Sequence, residues 1–357
     1  MSGADEGLLA RLLAGRPLVG ATAEEWVARL TDPALSDAER AALLVARPPA
    51  RLSAAELAAI ARALRRRSAP FPVLPRQRPV DLCGTGGAPR PAFNVGTVSA
   101  LVVRAAGAPV LKHGNRSARG ARGGWAGSSD LVEALGLARF LDDPAFARRA
   151  FRAEGIAFLH APVFHPAMRA VAPVRRLLGV PTAFNLIGPL TNPAAPSHAI
   201  VGAPDGPTAR RLADAASRLG VQRGLAVFSR DGTGEISSKA ETVAYPIGRA
   251  SARPWRIDPR RWLPPEDRRG PLDALPPPDA AREAERILAG GGGARRGSVV
   301  LTSAAALWVR GDAPSYAAAI DRAAAALDRG AAAALLGRLR TLAGGPSEAG
   351  PREVAGR

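Results

Sequence analysis

A single cysteine, Cys83, occurs in 357 residues, which excludes an intramolecular disulfide framework and fits a reducing compartment, so a cytoplasmic protein is expected. Aromatic residues make up 4% of the chain while hydrophobic residues make up 47%, so any core must be built mainly from Ala, Leu and Val. No apolar run reaches the roughly 20 residues a membrane helix needs, and Asp5 and Glu6 stand where a secretory leader would be basic and then apolar. No membrane partner is expected, and no short-period internal repeat is present. Lysine is nearly missing too: Lys112 and Lys239 are the only two.

Arginine supplies the rest of the positive charge. Forty-nine basic against 31 acidic residues leave a net charge of +18, which keeps anionic partners in view: nucleic acid, an acidic surface or a phosphorylated substrate. The arginines are spread through a chain that is also rich in Ala, Gly and Pro, the pattern of a compositional bias. There is no basic stripe interleaved with aromatics of the kind single-strand binders use.

Residues 5–67 read as helices, with apolar residues at helical spacing in Leu8–Leu13, Ala23–Leu30, Asp37–Ala46 and Ser53–Arg66. Thr22-Ala-Glu-Glu25 and Ser53-Ala-Ala-Glu56 have the form of capping boxes. A proline-rich connector, Pro70–Pro79, leads into the stretch around which the chain is organised, Val80–Asn115. There a short apolar strand ends in Gly84-Thr85-Gly86-Gly87, a helix follows from Val95 to about Ala106, and a second strand, Pro109–Leu111, delivers the loop Lys112-His113-Gly114-Asn115-Arg116. This is a βαβ unit whose loops fall on the ligand-binding edge of a parallel sheet. Glycines without Cβ let backbone N–H groups converge on an anion, a helix N-terminus adds partial positive charge, and Lys112 adds a full one.

Beyond it the spacing predicts a helix from Asp130, a helix over Phe146–Glu154, a strand over Ile156–Leu159, a loop to His165, and a helix over His165–Leu178. A strand at Ala199–Gly202, a helix at Pro207–Leu219 and a strand at Gly224–Phe228 follow, then a surface excursion over 250–278, a helix at Ala280–Leu288, a strand at Ser298–Thr302, and two Ala-rich helices over 315–328 and 331–342. Strands alternating with helices argue for a mostly parallel sheet covered on both faces. Residues 344–357 have the composition of a disordered tail.

Several of these motifs together resemble the anthranilate phosphoribosyltransferase family, glycosyltransferase family 3. The resemblance rests on Gly84–Gly87, Phe93-Asn94, Lys112–Arg116, Gly127-Ser-Ser-Asp-Leu-Val-Glu-Ala-Leu-Gly136, His165-Pro-Ala-Met168, Pro173-Val-Arg-Arg176 and Phe184–Ala194, and spans about residues 5–342. It implies a nucleoside phosphorylase/phosphoribosyltransferase-type α/β fold. A helical domain, 1–70, would be joined in space by about 165–190, and an α/β domain, 71–343, would carry the sheet. It further implies a homodimer through the helical domain, and transfer of a phosphoribosyl group from phosphoribosyl pyrophosphate to anthranilate or a related aromatic amine in tryptophan biosynthesis, with Mg2+. Lys112, Asn115 and Arg175 would be the catalytic set. Gly84, Thr85, Gly86, Gly87, Asn94, Thr97, His113, Arg119, Arg122 and His165 would bind substrates, and Glu235 and Asp231 the metal.

The acceptor-side motifs match the family pattern; the phosphate and metal side departs from it. Ala88 stands where the family has an aspartate, Gly96 where it has a serine, Arg119-Gly-Ala121 where it has Ser-Ser-Lys, and Gly234-Glu235 where it has Asp-Glu. The segment from Arg116 to Gly127 is also about four residues longer than the family pattern. Three readings follow. Arg119 and Arg122 could replace the missing ligands, the donor or acceptor could differ, or the chain could be a catalytically impaired homologue that binds nucleic acid or another polyanion.

Overall fold

The computed structural model describes residues 7–85, 88–117, 124–248 and 253–344. The expected tail beyond Gly344 lies outside these residues. The N-terminal part forms helices Leu8–Leu13, Gly20–Thr31, Asp37–Val45 and Ala54–Arg66. Ser53 caps the last through its side chain and Glu56 returns the bond, as the sequence predicts, and Ser36 with Glu39 does the same for Asp37–Val45. The Thr22 capping box does not form. That helix begins three residues earlier than Ala23, at Gly20, behind Val19, which makes no side-chain cap. No helix among the described residues is long and apolar enough to cross a membrane.

Seven strands form one sheet in the order β3-β2-β1-β4-β5-β6-β7. They are β1 Val80–Gly84, β2 Val110–Gly114, β3 Ile156–His160, β4 His198–Gly202, β5 Arg223–Ser229, β6 Thr242–Ile247 and β7 Trp255–Ile257. The first five are parallel; β6 and β7 run antiparallel at one edge. The expectation of a mostly parallel sheet holds, with two strands the sequence had not suggested: Thr242–Ile247, and Trp255–Ile257 inside the expected surface excursion. From β1 the chain winds outward through β2 to β3, and then returns to lay β4 on the other side of β1. That reversal is a topological switch point, and it opens at the carboxyl ends of β1 and β4.

Strand alternation sorts the side chains into two cores. Ile200, Leu225 and Val227 join the cluster built on helices Val95–Ala105 and Ala294–Arg310, whereas Ala199, Val201 and Ala226 join the cluster that holds the N-terminal helices and residues 171–190. The expected strand at Ser298–Thr302 is instead the middle of the 17-residue helix Ala294–Arg310, buried nearly all round. A short run of β-branched residues cannot be told from a fully buried helix by its period.

Candidate active site

β2 carries three residues further than the sequence indicates, to Gly114, so Lys112 and His113 are strand residues. Consecutive strand residues point to opposite faces. Lys112, 4% exposed, reaches Ser128 Oγ on helix Ser128–Ala134 (3.1 Å). His113, 3% exposed, turns to the other face, where its Nδ1 meets the Gly188 carbonyl (3.2 Å). The sheet thereby separates a cationic side from an imidazole side at the switch point.

On the cationic side, Gly84 ends β1 close to Glu235: a Cβ there would lie 3.8 Å from Glu235 Oε1. Glu235 is partly buried, and desolvation pushes its carboxyl up to about 7, with the Lys112 charge acting in the opposite direction. Asp231 is engaged within its own loop. Ser229, Thr233 and Ser237 hydroxyls all donate to it (2.5, 2.9 and 2.5 Å), and these bonds hold it below the usual carboxylate range despite burial. It ties the 229–237 loop together, whereas Glu235 Oε1 lies near the end of β1. Thr97, on the first turn of helix Val95–Ala105, is 1% exposed and its hydroxyl has no partner among the described residues. Asn94 donates to the Ala126 carbonyl (2.8 Å). Thr85 is pinned through its N–H to the Gly202 carbonyl (3.0 Å). Gly86, Gly87, Arg119 and Arg122 lie outside the described residues. Asp130 accepts from the Ser117 and Gly127 N–H groups (3.0 and 2.8 Å) and pairs with Arg116.

The missing acids of this side are neighbours. A Cβ on Gly234 would stand 3.0 Å from the Ala88 Cβ and 3.2 Å from the Ala203 carbonyl, and Gly234 has φ +70°. Gly96 is equally tight, 3.1 Å from the Leu82 carbonyl at its would-be Cβ. Gly234→Asp should therefore lower stability, by about 1–2 kcal/mol from the left-handed backbone alone, and give no gain in Mg2+ affinity. Thermal melts with and without Mg2+ check this. An unchanged melting temperature together with tighter Mg2+ binding would show that a second acid fits.

On the imidazole side, Asp81 organises the floor. The His113 N–H and Asn192 Nδ2 donate to its two oxygens (3.1 and 2.9 Å), and Asn192 Nδ2 also donates to the Leu111 carbonyl (2.8 Å). Burial raises Asp81 to about 6, against the pull of Lys112 and these hydrogen bonds. The His113 and His165 rings meet edge to face, 5.3 Å between centroids. Both are buried, and neither Nε2 has a partner among the described residues. Desolvation holds His165 down to about 4 and pushes His113 well below the ordinary value. A neutral His113 whose Nδ1–H serves Gly188 presents a bare lone pair at Nε2. Arg175 lies over the Phe184 ring (5.3 Å), with only a 3.5 Å approach to Asn185 Oδ1 and no ion pair among the described residues. Asn115 is exposed at the loop rim, its Oδ1 accepting from the Arg116 N–H (2.8 Å).

One charged group on this side gave no sequence signal. Arg65, in the last turn of helix Ala54–Arg66, acts electrostatically on both His113 and His165. It sits in a run of three arginines, which reads as an ordinary solvated helix end.

The family model described as the α/β domain of a glycosyl transferase family matches residues 76–333. The anthranilate phosphoribosyltransferase of Herpetosiphon aurantiacus is 44% identical over 200 residues, which cover 56% of this chain and 57% of that protein. That of Synechococcus sp. (strain JA-3-3Ab) is 39% identical over 322 residues, covering 88% and 91%. Among solved structures, the anthranilate phosphoribosyltransferase of Thermus thermophilus is similar with a TM-score of 0.84 at 35% identity, covering 95% of this chain and 99% of that one.

Proposed function

This chain belongs to the anthranilate phosphoribosyltransferase family, and from that premise we propose how its cleft divides the reaction between the two faces of β2. The reaction transfers the phosphoribosyl group of phosphoribosyl pyrophosphate to anthranilate, a step in tryptophan biosynthesis. The bond from the anomeric carbon to the pyrophosphate oxygen breaks, and a bond from that carbon to the amine nitrogen forms. The observation that carries this reading is the opposite orientation of Lys112 and His113 at the switch point.

The pyrophosphate belongs on the Lys112 side, where negative charge grows on the leaving group and a fixed cation stabilises it most. Thr97 and the Gly84–Thr85 turn face the same substrate. Among the described residues no group of three or more His, Cys, Asp or Glu side chains could hold a metal unaided. Magnesium suits such a site, because it is held largely by substrate phosphates and water with one or two carboxylates, and Glu235 is the one that fits. When bound, the ion would neutralise charge on the phosphate oxygens. Arg119 and Arg122 would add cations.

Anthranilate belongs on the His113 side. The unprotonated Nε2 of His113, and His165 beside it, accept from the amine N–H and leave the nitrogen lone pair aimed at the sugar. An aromatic amine is neutral near pH 7, so positioning supplies more than any strong base. Arg175 and Asn115 approach the same acceptor from the rim, Arg175 through the carboxylate geometry its fork suits. A cytoplasmic homodimer is part of this reading: Leu9, Leu13, Val19, Val45, Leu177 and Val180 are exposed apolar side chains of the helical part, a surface that a second copy would cover. The nucleic-acid alternative retains only the net charge in its support, and much of the surface arginine is already paired, as in Arg230 and Arg256 with Glu241.

Pyrophosphate release that requires both anthranilate and phosphoribosyl pyrophosphate tests the activity. No release with both present, or release that is unchanged when anthranilate is left out, would overturn it. The acceptor side also predicts a pH response. Because both imidazoles are already neutral well below the ordinary histidine value, anthranilate affinity should change by less than about twofold between pH 8 and 6. Weakening should begin below pH 6, as Asp81 beneath His113 takes up its proton at about 6, and grow as pH approaches the value of about 4 held by His165. Depressed histidines favour the fold above their unfolded value near 6.5 and cost stability as pH falls toward 4, so calorimetry is read above pH 5. A tenfold loss between pH 8 and 6 would mean that the histidines titrate normally.

A further inference from the structure

The loop that joins β5 to β6 is tied to one carboxylate. Asp231 Oδ1 accepts from the Ser229 and Thr233 hydroxyls (2.5 and 2.9 Å) and from the Thr233 N–H (3.3 Å), and Oδ2 accepts from the Ser237 hydroxyl (2.5 Å). A carboxylate offers about four lone-pair sites, and these donors fill them. Ser229, Thr233 and Ser237 are buried, so the bonds form where water competes little. The role that the sequence suggests for Asp231, a metal ligand, would require one of these bonds to be given up.

What the bonds fix is the segment around Glu235. Thr233 and Ser237 stand two residues before and two residues after it, and Glu235 is the one ionisable side chain between them. Each flank is fastened further. The Ser237 N–H donates to the Thr242 hydroxyl at the start of β6 (3.0 Å), and its own Oγ accepts from the Lys239 and Ala240 N–H groups (3.0 and 3.2 Å). Ser238 binds helix Ala294–Arg310, its hydroxyl donating to the Ala294 carbonyl (2.6 Å) and its N–H to Ser298 Oγ (3.0 Å). On the other flank the Gly232 carbonyl accepts from the Arg90 N–H (3.1 Å). Gly234, with φ +70°, lets the chain reverse between the two anchors, and Ile236 is fully buried in the core. Glu235 is thereby held with Oε1 at the end of β1, 3.8 Å from the position of a Cβ on Gly84.

We propose that Asp231 is a positioning residue that acts through Glu235: it holds that carboxylate at the end of β1 for the magnesium and pyrophosphate of the donor and does not itself bind the metal. This rests on the functional reading above and deepens it on the donor side, where a single acid is kept in place by a hydroxyl-bound neighbour.

The test is a double-mutant cycle read by calorimetry. Phosphoribosyl pyrophosphate is titrated into the full chain with Mg2+ present, and anthranilate is the second probe. Asp231→Asn, which loses an acceptor at one of its two oxygens, should weaken the donor about tenfold, or about 1.4 kcal/mol, and leave anthranilate within about twofold. In a Glu235→Gln background the same substitution should cost the donor less than about twofold, because the group it aims is already gone; residues that act as one unit are non-additive in this way. Ser229→Ala removes one donor to Oδ1 and no charge. It should weaken phosphoribosyl pyrophosphate about threefold in the parent and have no further effect beside Glu235→Gln, and it serves alone if Asp231→Asn does not fold. Losses that add in the two backgrounds would mean that Asp231 meets the metal or the substrate itself. Equal losses for both probes would mean that it only supports the fold, and unchanged donor affinity in a folded variant would remove it from the site. Each of these overturns the proposal. A folded parent that binds neither probe is a separate result, and it would overturn the functional reading itself.

Discussion

Lys112→Met is expected to lower kcat/KM for phosphoribosyl pyrophosphate by about 100- to 1,000-fold, the usual cost of removing one preorganised charge stabiliser from a developing anion. Lys112 is buried at the end of β2, anchored on Ser128, and its charge acts on both Asp81 and Glu235. The other lysine, Lys239, donates to the Gly270 carbonyl (3.1 Å). Methionine preserves most of the length and apolar stem, so packing changes little, while Asp81 and Glu235 lose the cation that favours their ionised forms and both carboxyls should rise further. Because His113 points to the other face, anthranilate affinity should stay within about threefold, well under the 1.4 kcal/mol of a tenfold change. Steady-state kinetics with calorimetry separates the two. Equal losses on both substrates would mean that the faces of β2 are not divided as described.

Gly202→Ala should damage both stability and turnover. Gly202 pairs in register with Gly84 across β1 and β4. A Cβ on it would lie 2.3 Å from the Gly234 carbonyl oxygen and 3.3 Å from Gly84 Cα. These are backbone atoms, so relief requires the 229–237 loop to move, and Glu235 moves with it. Overpacking of this kind costs about 1–3 kcal/mol. A misplacement near 1 Å of a group that positions charge costs on the order of 100-fold in rate. Gly337→Ala is the control, since a Cβ there meets nothing within 4 Å. A Gly202→Ala protein that melts and turns over like the parent would show that the close approach at the switch point is dispensable.

The parts of the site that the sequence revealed are those where local chemistry leaves a mark. A Gly-Thr-Gly-Gly turn after an apolar strand announces an anion site, and Ser53 with Glu56 announces a helix start, because each depends on residues a few positions apart. The strand that carries Lys112 and His113 was legible, but its end was not. Its last residues, Lys112-His113-Gly114, are polar or flexible, and only pairing with Phe158, Leu159 and His160 keeps them extended. That pairing decides the division of faces, and no local pattern encodes it. Residues 242–247 escaped notice because Pro246 breaks the look of a strand; it is accommodated opposite Leu225 next to a two-stranded antiparallel edge. Arg65 could not be found at all from sequence. Ala88 and Gly234 are far apart along the chain, and only folding shows that they are one change to one place.

The most direct measurement follows anthranilate fluorescence in a mixture of purified protein, phosphoribosyl pyrophosphate and Mg2+, with Glu235→Gln run beside the parent. The account predicts steady loss of anthranilate by the parent that requires all three additions, and a loss slower by about 100-fold for Glu235→Gln, within the range for removing a group that stabilises the leaving charge. No consumption of anthranilate by the folded parent protein would contradict it.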